Sequence, residues 1–178
     1  VPSVATAFAE RDIRMVKKKV YSAIRFIMVI ALPCCVGLAV LAKPIFMLLF
    51  PGTIQTLDLA TSMMISGAIA VVFFSMSTLS NGLLQGIDRL KVPVKNAAIA
   101  LVAHIIVLIA LMLFFRMNIY AVVIANAFFA FLVCVLNAIA IKRYTGYKQE
   151  IRKTFIVPTI AAGIMGIVTY GTYNGLYQ

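Results

Sequence analysis

Five apolar runs, at about 22–42, 59–85, 94–115, 120–141 and 154–173, alternate along the chain with short polar segments. Each run has about the 20 residues a helix needs to cross the hydrocarbon core of a bilayer. The lengths predict an all-α, polytopic transmembrane bundle spanning 22–178, preceded by a polar, basic juxtamembrane segment at 1–21. Pro33 sits inside the first run, where it removes one backbone hydrogen bond and kinks the helix. The stretch 45–50 is apolar but too short to cross, and the flanking Pro44 and Pro51-Gly52 leave it at the interface. The connection 116–119 is tight, so the third and fourth spans form an antiparallel hairpin.

Composition agrees with this class. The chain has 178 residues, of which 63% are hydrophobic and 12% charged. Soluble domains hold about 45–50% apolar and about 25% charged residues. The net charge of +11 does not point to nucleic acid, because the cations lie in short segments between apolar runs. Fourteen of the 16 Lys and Arg residues fall before or just inside span one, between spans two and three or at the start of span three, and between spans four and five. Only Lys43 and Arg116 fall on the other side. The positive-inside rule therefore predicts a cytoplasmic N-terminus and an external Gln178. The basic segments would attract anionic lipid head groups at that face. The chain opens Val1-Pro2-Ser3 with no signal peptide, which reads as a segment of something longer. Cys34, Cys35 and Cys134 lie inside apolar runs without metal-ligand spacing, as small packed hydrophobes do.

Polar residues at membrane depth mark the candidate sites. Arg25 lies about one turn into span one; its long side chain either snorkels to the interface or faces a cavity. His104 lies near the centre of span three and either hydrogen-bonds a neighbouring helix or takes part in a mechanism. In span two, Ser62, Ser66, Ser77, Ser80, Asn81 and Gln85 fall within an arc of about 140°. That arc faces another helix or a watery cavity. Asn126 and Asn137 share one face of span four, and Ala162, Gly163 and Gly166 give span five a small-residue face. The five acidic residues, Glu10, Asp12, Asp58, Asp88 and Glu150, lie in loops or at helix ends, so these spans carry no midplane carboxylate for a coupling cation. No metal cluster, cofactor motif or catalytic set is visible, and an enzyme is not expected.

The order of several short motifs carries a resemblance. They are Pro2-Ser3 with Glu10-Arg11-Asp12, Ala23-Ile24-Arg25, Leu32-Pro33, Gly37-Leu38-Ala39 and Lys43-Pro44-Ile45. Further along come Leu84-Gln85-Gly86-Ile87, Lys91-Val92-Pro93-Val94, Leu136-Asn137, Lys142-Arg143-Tyr144-Thr145-Gly146 and Pro158 with Ala161-Ala162-Gly163. In this order they resemble the MurJ and stage V sporulation protein B flippases of the multidrug/oligosaccharidyl-lipid/polysaccharide exporter superfamily. The resemblance implies a MATE-like transporter of two six-helix lobes around a central cavity, with this chain supplying most of the second lobe and a missing N-terminal lobe as its partner. It implies export of lipid II or another undecaprenyl-pyrophosphate-linked sugar by alternating access, with Arg25 as a cavity cation engaging the pyrophosphate. Arg25, Asn81, Gln85 and His104 are the candidate substrate-binding residues. A cation-coupled multidrug exporter of the same superfamily and a non-transporting membrane scaffold remain as alternatives.

Overall fold

The computed structural model describes residues 2–10, 12–52, 57–113, 118–146 and 152–176, and it is helical. The elements are α1 (Pro2–Ala9), α2 (Ile13–Val40), α3 (Ala42–Leu49), α4 (Leu57–Gly86), α5 (Lys91–Leu113), α6 (Asn118–Thr145) and α7 (Val157–Leu176), with a π-helical turn, Arg152–Ile156, leading into α7. Among the described residues five helices, namely α2, α4, α5, α6 and α7, are long and apolar enough to cross a membrane. The tight connection expected at 116–119 lies partly outside the described residues, but α5 and α6 do pack side by side.

Local chemistry sets the helix ends. Asp12 caps α2, its Oδ1 accepting from the Met15 amide at 2.9 Å. From that cap the helix runs unbroken through Lys17, Lys18 and Lys19 into the apolar stretch, so it begins nine residues ahead of the first apolar run. Leu41 ends α2 and opens α3, whose third residue, Pro44, stands where a helix needs no donor. The short α3 packs against α4 and leaves Leu48, Leu49 and Phe50 exposed, as an interfacial segment requires.

At the end of α4 the Arg89 amide donates to the Leu84 carbonyl (3.0 Å) and the Asp88 amide to that of Gln85 (3.1 Å). This is a Schellman closure, and it holds Asp88 at φ 58°, in the left-handed region. Gly146 at φ 63° ends α6 in the same region, its amide donating to Lys142.

The helices pack in the lateral order α7, α2, α4, α6, α5. The consecutive helices α4 and α5 barely touch, because α6 lies between them. The main apolar core gathers Val16, Val20, Ile24, Met76, Leu83, Leu84, Ile87 and Ile141, together with Val4 and Ala7 of α1. It therefore sits at the end of the bundle that carries the basic segments. Elsewhere the helices meet through small side chains: Ala68, Ala100, Ala121, Ala125, Ala130 and Ala162 are buried. Large apolar side chains such as Val94, Leu113, Ile164 and Ile167 point outward. Small residues inside and large ones outside is the arrangement expected when lipid, not water, surrounds the helices.

Candidate functional site

Arg25, Val29, Pro33, Val36 and Val40 recur along one face of α2 within an arc of about 80°. The next residue round the helix, Ile24, is buried in the core against α4, so Arg25 is turned to the opposite flank. There Arg25, Val29 and Pro33 line a groove of 220 Å³ whose far wall is Val157, Pro158, Ala161 and Met165 of α7. Arg25 is its one charged liner among the described residues. Farther along, Gly166 comes close to Val36 and Val40, which shows that α2 and α7 run in the same direction and that their backbones close together beyond the groove. Ala162 is buried at the contact, whereas Gly163 has nothing within 4 Å of where a Cβ would stand. The small-residue face of α7 is thus Ala162 and Gly166, four apart, without Gly163.

Asn81 belongs to a different contact. Asn137 of α6, fully buried, donates through Nδ2 to Asn81 Oδ1 at 2.7 Å and accepts at Oδ1 from Asn96 Nδ2 at 2.9 Å. One amide thereby ties α4, α6 and α5 together. Asn96 is the residue that reasoning from sequence missed. Its signal was position: Asn96 stands as far from the start of α5 as Asn81 stands from the end of α4, so the two lie at one depth. Asn126 remains exposed although it shares a face with Asn137.

The rest of the polar stripe on α4 divides in two. The hydroxyls of Ser62, Ser66 and Ser80 donate to the carbonyls of Asp58, Ser62 and Met76, four residues back on their own helix. Gln85, one turn beyond Asn81, is exposed. His104 shares its face of α5 with Asn96 and Ala100 and packs on Phe129 of α6, ring centroids 5.8 Å apart. Its Nε2 is buried without a hydrogen-bond partner. The four candidate residues therefore stand in four different settings and do not form one constellation. Of the four, Arg25 is the one that lines a groove beside a second apolar helix.

A cation at one end of an apolar groove suits an amphiphile with an anionic group and a long hydrocarbon chain. Arginine's fork of donors matches phosphate oxygens, and an apolar surround strengthens the pairing. None of the described residues form a cluster of three or more His, Cys, Asp or Glu side chains able to hold a metal ion.

Comparison with known proteins is consistent with this chemistry. The chain is 21% identical over 168 residues to the lipid II flippase MurJ of Bacillus subtilis (strain 168), an alignment covering 94% of this chain and 30% of that protein. It thus spans less than a third of that relative's length. No solved structure matches the chain. The family model described as lipid II flippase MurJ matches residues 1–176, and the chain belongs to that family.

Proposed function

We propose that this chain is part of a flippase that carries an undecaprenyl-pyrophosphate-linked sugar, lipid II or a polysaccharide unit, across the bacterial cytoplasmic membrane. The observation that carries the proposal is Arg25 in its apolar groove between α2 and α7, in a chain matched along its length by the flippase family. Arg25 engages the pyrophosphate, and the exposed amide of Gln85 is available to the sugar. Asn81 and His104 serve instead to hold helices together, since the amide of one is spent on Asn137 and the ring of the other lies on Phe129.

The chain works with a second lobe, and alternating access comes from rocking of the two lobes about the cavity they share, without covalent chemistry. The basic end of the bundle faces the cytoplasm, following the distribution of Lys and Arg. Depleting the full-length protein from cells tests this directly. Lipid-linked precursor should accumulate on the cytoplasmic leaflet and envelope synthesis should stop. Unchanged precursor levels, together with altered drug efflux, would overturn the proposal in favour of a drug exporter.

A further inference from the structure

The α4–α5 turn and the last turn of α6 enclose a second groove, of 450 Å³, separate from the one that holds Arg25. Arg89, Lys91, Lys95 and Tyr144 line it, with Asp88 as its one acidic side chain among the described residues. No ion pair joins any of these three cations to a carboxylate among the described residues, so the groove keeps an excess of positive charge.

Arg89 is held at both ends. Its amide closes the Schellman turn on Leu84, and its guanidinium stacks 4.8 Å from the centroid of the Tyr144 ring. Lys91 and Lys95 are four apart on the first turns of α5 and so point to one side. Above them the surface changes character. Val102, Ile106 and Ile109 lie within about 60° of one another on the side of α5 that carries Lys91 and Lys95, and are 60%, 63% and 51% exposed. A fixed cationic pocket thus opens onto an apolar helix face that runs into the membrane.

We infer that this groove binds the phosphate of an anionic phospholipid, with the acyl chains laid along α5. A soluble anion would use the cations but not the adjoining apolar face, whereas a phospholipid uses both. The aromatic ring of Tyr144 at the same level is typical of the membrane interface. Binding here fixes α5, which ends the row on the side away from α7, at a set depth, and does not depend on which cargo occupies the Arg25 groove.

Native mass spectrometry of the full-length protein, titrated with phosphatidylglycerol, phosphatidylcholine or inorganic phosphate, tests the inference. The wild type should retain phosphatidylglycerol in preference to phosphatidylcholine, and millimolar phosphate should not displace it. Combining Arg89→Gln, Lys91→Gln and Lys95→Gln should weaken retention about fivefold per cation removed. The double variant Lys91→Gln/Lys95→Gln changes only exposed side chains and keeps the test available should the triple variant fail to fold. Changing Arg14, Lys18 and Lys19 to Gln removes the same charge elsewhere and should leave retention within twofold. Equal losses in the two triple variants would reduce the effect to overall charge and overturn the site. Displacement by phosphate, or equal retention of phosphatidylcholine, would overturn the lipid assignment.

Discussion

A Cβ placed on Gly166 would stand 2.5 Å from Cγ1 of Val36. Real Cβ atoms do not approach so closely, and Val36, β-branched in a helix, has little rotameric freedom with which to yield. Gly166 is therefore what lets α7 close on α2 beyond the Arg25 groove. Gly166→Ala should force the helices apart and cost about 1–3 kcal/mol, the usual penalty for overpacking. Gly163→Ala, three residues away with open space around it, should be neutral or slightly stabilising. Thermal unfolding of the two full-length variants in detergent makes the comparison. Equal behaviour would mean that the α2–α7 contact does not hold in the assembled protein.

The asparagine ladder makes a second prediction. Asn137→Leu removes both of its interhelix bonds and leaves Asn81 Oδ1 and Asn96 Nδ2 unmet. Interhelix hydrogen bonds in membranes average about 0.6 kcal/mol and reach about 1.7 kcal/mol, so a loss of roughly 1–2 kcal/mol is expected. Because the residues act as one unit, adding Asn81→Leu to Asn137→Leu should cost less than the sum of the separate changes. Strict additivity in that cycle would show that the ladder is not formed.

Asp88 is a non-glycine residue at φ 58°, among the described residues the only one with positive φ. The left-handed region costs an L-residue roughly 1–2 kcal/mol, somewhat less for Asp and Asn. Asp88→Gly should accordingly raise stability by about 1 kcal/mol. Gly146→Ala should lower it, because the added Cβ would be strained at φ 63°, while the exposed Lys17 Nζ, 3.3 Å away, is the flexible end of its side chain and can move aside. Opposite shifts in unfolding temperature are the expected result.

The sequence disclosed the helices more readily than their neighbours, for a physical reason. Run length against bilayer thickness is a one-dimensional property, and it located all five long apolar helices. The start of α2 at Ile13 was harder to see. Lysines are good helix formers, so the helix continues through a polar stretch that hydropathy separates from the apolar run. Which face of a helix meets which neighbour is not one-dimensional. Gly163 and Gly166 are equivalent as letters, and only the packing of α7 on α2 distinguishes them. The polar arc of α4 points to another helix or a watery cavity, yet three of its serines bond their own backbone, an outlet open to any helical serine. The groove opposite Arg25 is built from Val157, Pro158, Ala161 and Met165, apolar residues that no motif would single out.

His104 offers a direct test of packing against mechanism. Its Nε2 is buried and unbonded, and an unsatisfied buried polar atom costs about 1–3 kcal/mol. His104→Phe keeps a ring against Phe129 while removing that cost. The variant should be at least as stable as the wild type and should flip precursor at the wild-type rate. A large loss of flipping in a normally folded His104→Phe protein would assign the imidazole a part in transport.

Arg25 carries the heaviest prediction, because charge and geometry can be varied separately there. Arg25→Lys keeps the cation but loses the fork that grips two phosphate oxygens at once. Arg25→Ala loses both. If the guanidinium holds a pyrophosphate, flipping in cells or liposomes should fall in the order Arg, Lys, Ala. The Ala variant should lose at least tenfold, about the effect of removing one charge-assisted hydrogen bond. Stability should change little in either variant, since Arg25 is exposed and the α2 core is built by its neighbours Val20, Ile24 and Met28. A side chain that merely snorkels to the interface predicts something else: Lys would replace Arg fully, and Ala would alter insertion before it altered flipping. Wild-type flipping by Arg25→Ala at normal protein levels would therefore remove Arg25 from the substrate path.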